Sequence, residues 1–120
     1  MSVESDFIRG NTPAMVLAVL RDSPSYGYAI AKEINTRSGD LLKLRQGTLY
    51  PALRAMETKG LIVGEWVVTE GVRPRRVYTI SEEGMRLLNE MIASWRGLAN
   101  ALNGIFGGIR AGGHHGASAL

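Results

Sequence analysis

Hydrophobic residues recur at helical spacing in three stretches before residue 60 and in a fourth after residue 81, with an alternating stretch between them. In "NTPAMVLAVLRDSP", Met15, Val16, Val19 and Leu20 form one face. Thr12 stands where a capping side chain belongs, Pro13 falls in the first turn and Pro24 bars continuation. This predicts a first helix opening at Thr12. Ser25 is then expected to cap a second helix, "YGYAIAKEINTRSG", in which Tyr26, Ile30 and Ile34 recur every four residues and Gly39 supplies a left-handed stop. At about 100° per residue, Tyr28 and Lys32 project from the opposite side, toward solvent or a ligand.

A third helical stretch, "QGTLYPALRAMETKGLI", contains a proline. If Gly47 or Thr48 opens the helix, Pro51 lies in its first turn, where the hydrogen bond it cannot donate was never available. Leu49, Ala52, Leu53 and Met56 then face a core, and Pro51, Arg54, Ala55 and Thr58 face outward with Tyr50 at the margin. So flat an outer face, carrying one guanidinium, suits a helix pressed against another large molecule, and equally a surface helix with a rigid start. After Gly60, "LIVGEWVVTEGVRPRRVYTI" predicts two strands joined by a turn around Gly71 to Pro74, with Arg73, Arg75 and Arg76 at the tip and on the return strand.

Three helices followed by such a hairpin predict a mostly α chain with a small β hairpin, a winged helix-turn-helix. In that fold the third helix reads the major groove and the hairpin reaches the adjacent backbone or minor groove. From Ser81 the pattern is helical again, with Ser81 as cap and Glu82 and Glu83 in the first turn. Met85, Leu88, Ile92, Trp95, Ala99, Leu102 and Phe106 follow spacings of three and four, widened by Met91, Leu98 and Ile105. A small domain cannot cover so broad a stripe alone, so a partner helix from a second subunit is expected. The resulting division is an N-terminal arm over 1–11, a winged-helix domain over 12–80, a C-terminal dimerisation helix over 81–106 and a flexible Gly/Ala-rich tail over 107–120.

Composition narrows the function. With 120 residues, 45% hydrophobic and 21% charged, the chain suits one compact domain with appendages rather than disorder. No cysteine is present, so disulfides and thiolate metal sites are excluded. The opening "MSVESDFIRG" does not resemble a leader, and no apolar run approaches the roughly 18 residues of a membrane helix. A cytoplasmic protein is the expectation. The net charge of +3 is uneven: residues 1 to 40 carry 4 basic and 5 acidic side chains, residues 41 to 80 carry 7 and 3, and residues 81 to 120 carry 3 and 3. A basic middle third is the footprint of a phosphate-binding face. An enzyme is disfavoured, because His114 and His115 lie in the tail at no metal-ligand spacing and no glycine loop opens a helix after a strand. Neither metal nor cofactor is expected. The rival to a DNA-binding role is a winged helix serving as a protein-interaction module.

The segments "YGYAIAKEI", "GTLYPALRAMETKGLI" and "RPRRVYTISEEGMRLL", with the helix around Trp95, resemble the PadR-type transcriptional regulators, in particular their short subfamily. The likeness runs from about Thr12 to Leu102. It implies a homodimer on palindromic double-stranded operator DNA, usually a repressor, released by a small molecule or cellular signal. It also implies that Tyr28, Lys32, Thr48, Tyr50, Pro51 and the wing arginines lie at the DNA surface. Thr48, with the free amides of the helix start, can grip a phosphate, and the Tyr50 hydroxyl can reach a phosphate or a base edge; Arg54 is the candidate for base readout, and Lys32, Arg75 and Arg76 for phosphates. Tyr50 could instead be a partly buried core residue, and Arg54 could pair with Glu57 or Thr58. Some short-class members use a dimer pocket for planar drug-like molecules. The match places Trp95 there, with Phe7, Met91 and Ala99 beside it for a small planar apolar effector; alternatively Trp95 only fills the dimer core.

Overall fold

In a computed structural model, which describes residues 2–107, the chain forms α1 (Val3–Asp22), β1 (Ser25–Tyr26), α2 (Gly27–Arg37), α3 (Gln46–Thr58), β2 (Ile62–Val67), β3 (Arg75–Ile80) and α4 (Glu82–Phe106). It divides into two compact units, Met1–Leu88 and Asn89–Leu120.

The first helix begins nine residues earlier than Thr12. Ser2 caps it, its hydroxyl accepting from the Ser5 amide at 3.0 Å, and Glu4 and Asp6 sit at the positive end of its dipole. Residues 3–11 of the expected arm are therefore helical. Thr12 is buried in mid-helix and its hydroxyl donates to the Ile8 carbonyl at 2.6 Å, while the Asn11 amide donates to Phe7 at 2.9 Å. Pro13 is inside the helix, where it withholds one backbone donor. A Thr-Pro pair looks the same locally at a helix start and in such an interior position.

Ser25 is likewise not a cap. It opens a two-residue strand, and α2 starts at Gly27 with Tyr26 at its N-cap and no side-chain capping bond. That strand enlarges the expected hairpin to a three-stranded antiparallel sheet of order β1-β3-β2, with Tyr26 opposite Val77 and Ser25 opposite Tyr78. The end of α2 is as expected, with Gly39 at φ 63°. The turn into α3 is tied down by the Asn35 side chain, which accepts from the Leu44 amide at 2.8 Å, and by Ser38, which bridges to Leu42.

The core of the first unit is built from Val16, Leu17 and Leu20 of α1, Ile30 and Ile34 of α2, Leu49, Leu53 and Met56 of α3, Ile62 and Tyr78 of the sheet, and Leu88. The face expected for α3 is the buried one. Its start, however, is Gln46, with Arg45 as N-cap accepting from both the Thr48 and Leu49 amides at 3.0 Å. Pro51 is thus in the second turn. It removes a bond that the Gly47 carbonyl would have accepted, and the exposed position of Gly47 opens that carbonyl to water.

Gly60, at φ 76°, closes α3, and the Leu61 amide returns to Met56 at 3.0 Å. Ser81 then fastens α4 to this corner. Its hydroxyl lies 2.7 Å from the Gly60 carbonyl and 2.9 Å from that of Leu61, and accepts from the Gly84 amide at 3.0 Å. Gly84 is forced by the same approach, since a Cβ there would sit 2.2 Å from the Leu61 carbonyl oxygen and 2.9 Å from Ile80. Gly84→Ala is expected to destabilise by about 3 kcal/mol, the upper range for overpacking against backbone, read as a lower urea midpoint at fixed protein concentration.

Candidate nucleic-acid interface

The outer face of α3 carries Thr48, Tyr50, Pro51, Arg54, Ala55 and Thr58, all exposed, opposite buried Leu49, Leu53 and Met56. Tyr50 is 37% exposed, and the hydroxyl end of its ring rests where α2 begins: a Cβ on Gly27 would lie 2.6 Å from the Tyr50 hydroxyl oxygen. The tyrosine is therefore both a packing residue and a surface one. Gly27, between the two tyrosines of "YGY", is the residue that periodicity does not single out, because its role is to lack a side chain.

Around the same helix start, Tyr26 and Tyr28 stack with centroids 6.5 Å apart at 21°, and the Arg75 guanidinium lies 4.3 Å over the Tyr26 ring. Arg75 and Tyr26 meet because β1 pairs with β3, which puts Tyr26 and Val77 side by side and Arg75 two residues away on the same face. The start of α2, the first half of α3 and the start of β3 thus converge on Tyr28, Tyr50 and Arg75. Lys32, one turn beyond Tyr28, is exposed. Neither α2 nor α3 has a side-chain cap at its start.

Charge pairing is uneven along the chain. Ion pairs engage Arg9, Arg21, Arg37, Arg76 and Arg86. Among the described residues, the cations left without a carboxylate partner are Lys32, Lys43, Arg45, Arg54, Lys59, Arg73, Arg75 and Arg96, all but the last between α2 and β3. Arg54 is therefore not paired with Glu57, and Thr58 uses its hydroxyl on the Arg54 backbone carbonyl at 3.0 Å. Lys43 and Arg45, exposed in the turn before α3, join this set; they lie outside any periodic segment, and their signal is position just ahead of the helix start.

Arg76 departs from its expected place. It spans from β3 to Glu57 on the last turn of α3, Nη2 to Oε2 at 2.7 Å and Nε to Oε1 at 3.3 Å, with its guanidinium 5.6 Å over the Trp66 ring. Donation to the Glu57 carboxylate holds the Arg76 guanidinium above its usual pKa, and burial pushes the Tyr78 phenol up beside it. Two wing arginines, Arg73 and Arg75, remain unpaired rather than three.

In the second unit, α4 continues to Phe106 and presents Trp95 at 37%, Leu98 at 50% and Phe106 at 62% exposure, with Ile92 and Leu102 half-buried. Leu88, by contrast, is 1% exposed and belongs to the first unit, and Met85 there is half-buried. Leu88 is covered within its own chain and drops out of the expected intersubunit stripe. Of the residues named for an effector, Phe7 is half-buried on α1, whereas Met91, Trp95 and Ala99 lie on the part of α4 in the second unit. His114 and His115 lie outside the described residues. No cluster of potential metal ligands occurs among the described residues, and no helix there is long and apolar enough to cross a membrane.

A compact three-helix unit with a three-stranded wing and a cation-lined third helix defines the winged-helix regulators of transcription. The family model for the transcriptional regulator PadR-like family matches residues 16–90, and the chain belongs to that family, whose members are regulators and not enzymes. It is 34% identical over 85 residues to the transcriptional regulator Rv3488 of Mycobacterium tuberculosis, covering 71% of this chain and 76% of that one. A PadR family transcriptional regulator from Eggerthella lenta has a similar structure, with TM-score 0.73, 34% identity and coverage of 84% and 86%. Bacillus subtilis PadR, solved in complex with operator DNA, shares the fold at TM-score 0.62 and 20% identity, over 68% of this chain and 45% of that one.

The close approach of Tyr50 to Gly27 has a measurable consequence. Gly27→Ala is expected to lower Tm by about 4–8 °C, and Tyr50→Ala to lower it less. The double variant should be more stable than the sum of the two changes, because removing the ring makes room for the Cβ, and a thermal double-mutant cycle measures this.

Proposed function

We propose that the chain acts in the cytoplasm as a homodimeric repressor on palindromic double-stranded operator DNA, with the outer face of α3 in the major groove and the wing on the adjacent backbone. The observation that carries this reading is the set of cations without carboxylate partners, Lys32, Lys43, Arg45, Arg54, Arg73 and Arg75, around an α3 face of small residues. A phosphate array would supply their counter-charge. Arg54 is the base-reading residue, since one guanidinium can engage guanine with two hydrogen bonds, and Thr48, Tyr50 and Pro51 form the close-fitting surface around it. Tyr28, Lys32, Arg73 and Arg75 meet backbone phosphates, joined by Lys43 and Arg45. The Bacillus subtilis protein of the same fold, solved with operator DNA, supports operator DNA as the partner.

The second unit supplies dimerisation through Ile92, Trp95, Leu98, Leu102 and Phe106, whose apolar stripe favours a second copy of the same helix. A small planar apolar effector acting at Met91, Trp95 and Ala99 would release the operator by favouring a dimer geometry that does not fit the DNA.

Binding should weaken roughly a thousandfold between 50 and 200 mM salt, measured by fluorescence anisotropy on operator and scrambled DNA. Arg75→Ala should weaken binding to both DNAs and reduce the salt slope by about 1, whereas Arg54→Ala should mainly erase the preference for the operator. Equal, salt-insensitive binding would instead favour the protein-interaction module. Leu98→Arg is expected to give a folded monomer by light scattering, because it places a charge at the centre of the stripe without touching the core of the first unit.

A further inference from the structure

We infer that Arg76 is a positioning residue: with Glu57 it forms a clamp that fixes the wing to the last turn of α3, and it is not a phosphate contact. This rests on the DNA-binding reading above and assigns one of its residues a different task.

The clamp is built from both elements. Glu57 leaves α3 next to buried Met56, and Arg76 reaches it from the second residue of β3 with two hydrogen bonds in side-on geometry. Register places Gly64 opposite Tyr78 and Trp66 opposite Arg76, so these four share one face of the sheet with Ile62 and Ile80. A Cβ at Gly64 would come within 2.8 Å of Arg76 Nε and 2.9 Å of Glu57 Oε2. The missing side chain is what lets the pair close against the strand. Trp66 covers the outer side of the guanidinium, although it is itself 66% exposed. Both charged side chains are partly withdrawn from solvent, at 31% and 24% exposure, while the exposed ion pairs elsewhere in the chain run from 42% to 60%.

Such a pair ties a two-stranded projection to the reading helix at its far end. Toward the base, Ile62 and Tyr78 are buried and Ser81 holds the strand ends to the corner at Gly60 and Leu61; the clamp adds a tie nearer the tip. Wing arginines can meet phosphates while α3 reads bases only if both elements keep one relative orientation.

Glu57→Gln separates the two roles by sign. If Arg76 were a phosphate contact, Glu57 would compete with DNA for it, and Glu57→Gln would tighten binding. As a clamp, Glu57→Gln weakens operator binding roughly tenfold, Arg76→Gln does the same with the salt slope unchanged, and the double variant is no worse than either single one. Exchanging the charges with Glu57→Arg and Arg76→Glu recovers most of the loss. In the free protein, on a Trp95→Phe background, Glu57→Gln changes the emission and iodide quenching of Trp66, because the guanidinium over the indole loses its anchor. Tighter or unchanged binding of Glu57→Gln, a slope reduced by about 1 in Arg76→Gln, or unaltered Trp66 emission each overturns the clamp. If the wild-type chain itself shows no operator preference, the DNA-binding reading fails, and the Trp66 measurement alone decides whether the clamp exists.

Discussion

The carbonyl oxygen of Leu61 and the bare Cα of Gly84 approach so closely that no side chain fits between them, and much of the first unit is arranged around that approach. Ser81 sits between the two segments with its hydroxyl on the Gly60 and Leu61 carbonyls and its oxygen on the Gly84 amide. One corner therefore fixes the end of α3, the start of β2, the end of β3 and the start of α4. Because α3 and the wing leave from it, the placement of both halves of the candidate interface depends on a contact that carries no charge and faces no ligand.

A second corner does similar work at one edge of the sheet. β1 is only two residues long, yet it joins the sheet to the start of α2 and brings Tyr26 under Arg75. Tyr28 and Tyr50 then stand on either side of Gly27, so three elements distant in sequence present one surface. The ion pairs of the first unit reinforce the division of labour: those of Arg9, Arg21, Arg37 and Arg86 join residues near in sequence or on the adjoining α1 and α2, leaving Lys32, Lys43, Arg45, Arg54, Arg73 and Arg75 without carboxylate partners.

Elements governed by local chemistry were legible in the sequence. The buried face of α3, the glycine stop at Gly60 and the Ser81 cap of α4 follow from spacing and capping preferences, and the structure has each of them. What was not legible depends on distance or on equivalence. Thr12-Pro13 is chemically the same pair at a helix start or inside one, and only the capping Ser2 ten residues earlier separates the cases. A two-residue strand has no period to detect. Arg76 looked like its neighbours because its partner lies 19 residues away on another element. Leu88 fitted the apolar stripe by spacing, although its side chain had already been used in the first core.

The space under Tyr50 also constrains how this chain can change over time. With the ring of Tyr50 in this position there is no room for a Cβ at 27, since the nearest ring atoms lie 2.6 to 2.8 Å from where it would stand. The reverse dependence is absent, because a smaller residue at 50 leaves glycine at 27 undisturbed. Substitution at these two positions therefore has a cheaper order: a smaller residue at 50 first makes room, whereas a side chain gained first at 27 displaces the Tyr50 ring.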